Sequence, residues 1–213
     1  MLVPSLQAPF PLRWGFSTKQ DPPGSLPPRR LSQVHGCLVW EAEDNVVHQG
    51  DGLWSMKRGR PIGVRVADCV PILLAGSAEG GPWIAALHAG WRGAAAGILR
   101  RGVEAFRDKG GESSTLTWAF GPGIAPCHFE VGPEVLEAMR RDPAWSESLA
   151  HEGPRGRPHL DLHGFLRAQA LDMGLDLARD GSIALCTHCR EDLFHSYRRG
   201  DLEGRQWGLI EIL

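Results

Sequence analysis

Three residues combine a metal-ligating side chain with a break in regular structure. His35 lies in "SQVHG" just before Gly36, Cys69 lies in "ADCVP" at a proline kink, and His88 lies in "LHAGWRG" where an apolar run meets a glycine turn. Two imidazoles and one thiolate make a three-ligand zinc set. The fourth position stays open for water, as in catalytic zinc sites. Each of the three also reads as a packed residue at a strand end, and spacing alone does not show that they meet.

Four further stretches carry polar chemistry. In "HAGWRGAAAG", Gly90 and Gly93 permit close backbone approach, Arg92 supplies a forked cation, and the following helix offers free N–H groups to an anion. The same residues also fit a plain strand-to-helix turn. "GPGIAPCHFEVG" is a proline-braced loop that presents Cys127, His128 and Glu130, either as a pocket wall or only as a rigid connection. Cys186 and Cys189 form a CxxC that reads as a redox pair, half a zinc site or two buried thiols. "HSYRRGDLEGR" holds Tyr197, Arg198, Arg199 and Arg205, a solvated basic loop or one that faces phosphate. Phosphate-loop, zincin, nucleophile-elbow and dinucleotide fingerprints are absent. The nine histidines contain no His-x-His pair, which argues against the paired ligand sets of a multicopper oxidase.

These side chains need elements to position them. The 213 residues, 42% of them apolar, can build one large domain or two small ones. "PIGVRVADCVPILLAG" predicts a strand, a kink at residues 68–71 and a second strand, because Pro71 lacks an N–H and pushes Val70 to extended geometry. "PWIAALHAG" is a near-continuous apolar strand that fits burial on both faces. Cys69 and His88 therefore sit at the mouths of two buried strands. "RLSQVHGCLVWEAE" reads as an interrupted strand, "DGLWS" as a turn into a short element, and residues 94–111 as one helix stopped by Gly110 and Gly111. "STLTWAF" is a strand, "GPEVLEAMRRD" a helix with Pro133 in its first turn, 151–158 a loop and "LDLHGFLRAQALDMG" a helix. "SIALC" reads as a short strand and "RQWGLIEIL" as a closing strand, while the Pro-rich stretch 17–30 is an exposed loop. Interleaved strands and helices predict a mixed α/β chain, read as one domain over 1–213.

A formal net charge of -2 gives no general electrostatic reason to expect nucleic acid or membrane as partner. The odd count of five cysteines does not fit a secreted disulfide framework. The start has no basic signal-peptide region, and no run reaches the roughly 20 apolar residues of a membrane span. A cytoplasmic protein with reduced thiols is expected.

Taken together, "GFSTK", "SQVHG", "DGLWS", "ADCVPILL", "HAGWRGAAAGI", "GPGIAPCHFEVG", "CTHCREDLFHSYRRG" and "GRQWGLI" resemble one family, in family order from residue 15 to the C-terminus. It is the YfiH-like family, also labelled polyphenol oxidase or laccase domain and linked to purine nucleoside phosphorylase activity. The resemblance implies an α+β fold, a four-layer α-β-β-α sandwich also similar to the deamidase domain of cytotoxic necrotizing factors. It implies Zn2+ held by His35, Cys69 and His88, with copper as an adventitious occupant. It implies phosphorolysis of adenosine, inosine, guanosine and methylthioadenosine, and adenosine deamination. The expected partners are a purine nucleoside and phosphate, and both a monomer and a homodimer are compatible. Within that implied chemistry, Cys69, His88, Asp68 and Arg92 are the expected catalytic set. Asp68 would act as proton carrier or orienter. Arg92, Arg198, Arg205 and Glu130 would bind substrate. The necrotizing-factor likeness implies a metal-free alternative, with Cys69 as nucleophile and His88 as its base. A zinc-bearing scaffold without catalysis is a third reading, and a copper-dependent polyphenol oxidase, opposed by the lack of His-x-His pairs, is a fourth. The family usually has a longer, helix-containing segment where this chain has only fifteen residues between Lys19 and His35. Val66 stands where many relatives have Thr.

Overall fold

A computed structural model describes residues 1–6, 8–21, 29–43 and 46–213. In chain order its elements are β1 (Leu12–Phe16), β2 (Val39–Glu41), β3 (Gly52–Ser55), β4 (Ile62–Val66), β5 (Val70–Ala78), β6 (Gly81–Ala89), α1 (Trp91–Ala95), α2 (Ile98–Arg107), β7 (Thr117–Phe120), α3 (Pro133–Met139), β8 (Ala150–Glu152), β9 (Pro158–Leu160), α4 (Leu162–Asp172) and β10 (Gln206–Ile212). The part of the expected exposed loop that spans 22–28 lies outside the described residues.

The two apolar runs become β5 and β6, a long antiparallel hairpin in register from Val70↔Ala89 to Ala78↔Gly81. This hairpin is the centre of a five-stranded sheet of order β2-β3-β6-β5-β7. A three-stranded sheet, β1-β10-β4, packs against its other face. Alternation sorts the hairpin side chains between two cores, as a strand period of two requires. Leu73, Ala75, Ile84 and Ala86 point between the sheets, against Phe16, Ile62, Val64 and Ile210. Ile72, Leu74, Trp83, Ala85 and Leu87 point the other way, against the helices. Burial on both faces explains why neither strand alternates in sequence.

The structure is a mixed α+β fold with a sheet-on-sheet core, as expected. The helical contacts run to the five-stranded sheet, and the outer face of the three-stranded sheet carries Arg13, Arg65, Trp207 and Glu211. Among the described residues the layers are therefore α, β, β.

Local differences follow from turn chemistry. The expected helix over 94–111 is two helices, because Gly97 takes a left-handed φ of 83° and ends α1 before α2 begins. The stretch 151–158 is not a plain loop but the turn and inner halves of the β8–β9 hairpin. "SIALC" forms no strand. It runs alongside β7 and the following loop through isolated contacts such as Gly123↔Cys186.

Candidate metal centre

The hairpin's open end builds the site. Cys69 immediately precedes β5 and His88 is the penultimate residue of β6, so pairing of the strands brings the thiol and the imidazole together. His35 arrives from the loop before β2, and its ring meets the His88 ring edge-on at 4.8 Å between centroids. The donor atoms of His35, Cys69 and His88 all lie within 4.8 Å of one another. That spacing suits one ion at metal–donor bonds of about 2.0–2.3 Å.

Asp51 organises this triad, and the sequence reading passed over it. It is fully buried, just ahead of β3. Its carboxylate accepts hydrogen bonds from the backbone N–H groups of Val34 (3.3 Å), His35 (2.9 Å) and Gly36 (2.7 Å). It also lies 2.7 Å from His88 Nδ1. Burial alone would raise its pKa. The His88 contact and the backbone donors outweigh that and hold it below the ordinary carboxylate value. An ionised Asp51 fixes Nδ1 as the protonated nitrogen of His88 and leaves Nε2 for a metal. The only local signal was an aspartate opening "DGLWS", a pattern shared with any Asp-Gly turn.

Three structural features fit a metal here. The donor set is two nitrogens and one thiolate, which suits zinc and also copper. The second nitrogen of His88 is committed to a carboxylate, as in metal-bound histidines. The backbone at Gly90 leaves a cradle, since a Cβ there would stand 3.0 Å from Cys69 Sγ and 3.1 Å from His35 Cδ2. Two neighbouring residues also hold strained backbone. His35 has φ 60° and Asp68 has φ 82°, the only non-glycine residues with positive φ among those described.

Without a metal, the pair polarises itself. Burial opposes the Cys69 thiolate, but the adjacent His88 charge and hydrogen bonds from His35 and His88 bring its pKa down to about 6. Burial likewise opposes a charged His88, but the Cys69 thiolate and Asp51 raise it to about 9.

A cavity of about 600 Å³ opens over the triad. Arg65, Arg198 and Arg205 line it, with Ile124, Phe129 and Tyr197 as apolar and aromatic wall. Asp68 also lines it, and its carboxylate accepts from the Thr187 hydroxyl (2.6 Å) and the Arg198 N–H (2.7 Å). Arg65 and Gln33 were missed from sequence. They are joined by two hydrogen bonds of 2.8 Å between the Gln33 amide and the Arg65 backbone. Two expected substrate ligands are not in the cavity wall. Arg92 stacks on Trp91, 4.3 Å from the ring centroid, and Gly93 lies inside α1 against the Gly36 carbonyl. That turn therefore packs the His35 loop. Glu130 is turned to Arg155 and Arg157 at 2.8 and 3.4 Å.

A closed structural metal site uses four protein donors, whereas three donors beneath a cavity leave room for a reacting group. The three side chains thus make a candidate metal centre of the open type. Residues 25–213 match the family model for multi-copper polyphenol oxidoreductase laccase, and the chain belongs to that family, whose relatives include proteins named YfiH. It is 35% identical over 195 residues to purine nucleoside phosphorylase YfiH of Shigella flexneri, spanning 89% of this chain and 76% of the relative. It is 35% identical over 179 residues to adenosine deaminase RL5 of an unknown prokaryotic organism, spanning 78% and 68%. The crystal structure of YlmD from Geobacillus stearothermophilus superposes with a TM-score of 0.76 at 30% identity, over 86% of this chain and 73% of that one. No helix among the described residues is long and apolar enough to cross a membrane.

Proposed function

We propose that the chain is a zinc-dependent purine nucleoside enzyme that phosphorolyses purine nucleosides, methylthioadenosine among them, and deaminates adenosine. The convergence of His35, Cys69 and His88 beneath an arginine-lined cavity carries this reading. The names of the relatives support the substrate class. The cavity volume suits a nucleoside. A zinc ion in this donor set supplies Lewis acidity toward a substrate oxygen or nitrogen. The five free thiols support a reducing compartment such as the cytoplasm.

In phosphorolysis a phosphate oxygen bonds to the ribose C1′ while the C1′–N9 bond breaks and the purine leaves with the bond's electrons. The chain must hold a dianion and a flat apolar base. Arg65 and Arg205 offer cationic groups at the cavity for phosphate. Arg198 also lines the cavity, but its guanidinium already holds the His128 and Glu130 carbonyls at 3.1 and 3.0 Å. It therefore serves first to fix the wall. Phe129 and Tyr197 offer faces to the purine. Asp68 acts as a positioning residue, because its carboxylate ties the Cys69 turn to Thr187 and Arg198.

Incubation with adenosine and phosphate tests the proposal. Adenine, ribose 1-phosphate and inosine are expected, and a chelator should abolish all three. Their absence from metal-replete protein would overturn it. Deamination consumes no phosphate, so Arg205→Ala should raise the KM for phosphate about tenfold and leave deamination of adenosine unchanged. Steady-state kinetics of the two reactions separates the effects.

The metal-free thiol reading rests on the Cys69–His88 polarisation. In metal-stripped protein, alkylation of Cys69 should show a midpoint near pH 6 where an ordinary thiol shows 9.0. Peptide mass mapping follows the site. Under the zinc reading, metal-loaded protein keeps Cys69 unlabelled and active. Activity that survives metal removal but not alkylation would establish the cysteine reading instead.

A further inference from the structure

A second donor cluster lies outside the triad. Cys127 and His128 come from the loop after β7, and Cys186 and Cys189 from the turn that precedes the Tyr197–Arg198 segment. Cys127 Sγ lies 3.7 Å from Cys186 Sγ and 3.6 Å from Cys189 Sγ. His128 Nδ1 lies 3.3 Å from both Cys127 Sγ and Cys189 Sγ. A disulfide would bring two sulfurs to about 2.05 Å. A tetrahedral zinc with Zn–S bonds of about 2.3 Å has sulfur–sulfur edges of about 3.8 Å. The observed spacings are those of a metal tetrahedron.

We propose that Cys127, His128, Cys186 and Cys189 form a second, structural zinc site that clamps two loops of the cavity wall. Three thiolates and one imidazole complete a closed four-donor set, which leaves no position for substrate. The clamp has clear mechanical consequences. Its first loop continues into Phe129 of the cavity wall. Its second contains Thr187, fully buried and bonded to Asp68. Arg198 holds the first loop through the His128 and Glu130 carbonyls, and its neighbour Arg199 holds the second through the Thr187 and His188 carbonyls. The site is thus placed to hold the wall, Asp68 included, against the triad.

The full-length protein, purified from zinc-supplemented medium with reductant, provides the test. Metal analysis should find one zinc for each donor set. His35→Asn should lower only the triad's share, since Asn tolerates the left-handed backbone there. Cys189→Ser, at an exposed position, should lose the other share and keep the triad's. Cobalt(II) titration of wild-type protein gives an independent reading. A thiolate-to-cobalt charge-transfer band with the intensity of three sulfurs should appear, and Cys189→Ser should remove it while the one-sulfur band of the triad persists. Wild-type metal content in Cys189→Ser, or no three-sulfur cobalt band in reduced wild-type protein, would overturn the proposal. So would a protein mass lower by two hydrogens, which would mark a disulfide in the cluster. Loss of metal from the triad alone would bear on the catalytic reading and leave this one standing.

Discussion

Cys69→Ser is expected to cost about 10³-fold in both phosphorolysis and deamination, some 4 kcal/mol of transition-state stabilisation. The cause is specific. Serine keeps the size and position of the side chain at the mouth of β5 but replaces a thiolate with a neutral hydroxyl, which is a poor zinc ligand at neutral pH. The remaining two imidazoles bind zinc too weakly to fill the site. The fold should survive, because the cores on either side of the hairpin do not include this residue. Metal analysis, circular dichroism and initial rates on the same preparation check the claim. Near-wild-type rates in a protein that has lost the triad's zinc would refute a metal-dependent mechanism.

Asp51→Asn is the second large effect, and it acts on stability and metal together. The amide would turn one donor toward a ring of donors: three backbone N–H groups and His88 Nδ1. Breaking a buried ionic contact of this kind costs about 3 kcal/mol. It also frees His88 to take the other tautomer, so zinc affinity should fall about 10- to 100-fold. Competition with a chromophoric chelator measures the affinity, and urea titration measures the stability. The pH dependence has a sign. Asp51 has a depressed folded pKa, so its contribution is fully present above its ordinary value and is lost as pH falls through the folded value. In metal-free protein His88 is raised to about 9, so its contribution is fully present below 6.5 and is lost as pH rises through 9. The variant should lose the low-pH limb and keep a weakened high-pH limb, since the Cys69 thiolate still raises His88. A variant with wild-type affinity and stability would show that Asp51 is a spectator.

The sequence carries the hairpin plainly because its signal is local. Apolar runs bounded by Asp68-Cys69-Val70-Pro71 and Ala89-Gly90 announce two buried strands, and their ends mark the thiol and the imidazole. That His35 joins them is a long-range fact, and no period or spacing contains it. The break at Gly36 marked His35 as a candidate, and the family resemblance singled it out. Asp51 escaped for the same reason, since its four partners come from residues 34–36 and from β6. Arg65 escaped because β4 places it on the outer, exposed side of a strand, where a charge reads as solvated. Arg92 stood out because a glycine-arginine turn ahead of a helix resembles an anion cradle, and in the fold its guanidinium stacks on Trp91. The lone CxxC looked incomplete because its other half lies about sixty residues earlier, in Cys127 and His128.

The β5–β6 hairpin also sets the order in which the donors assemble. Cys69 and His88 belong to one contiguous stretch of chain, and hairpins of this kind close in about 1–10 μs. His35 and Asp51 must wait for the slower, non-local docking of the His35 loop, β2 and β3. A growing chain therefore presents a two-toothed thiol–imidazole claw before the other two arrive to close the grip. The thiol and one imidazole of the site are therefore fixed relative to each other before the residues that complete it arrive.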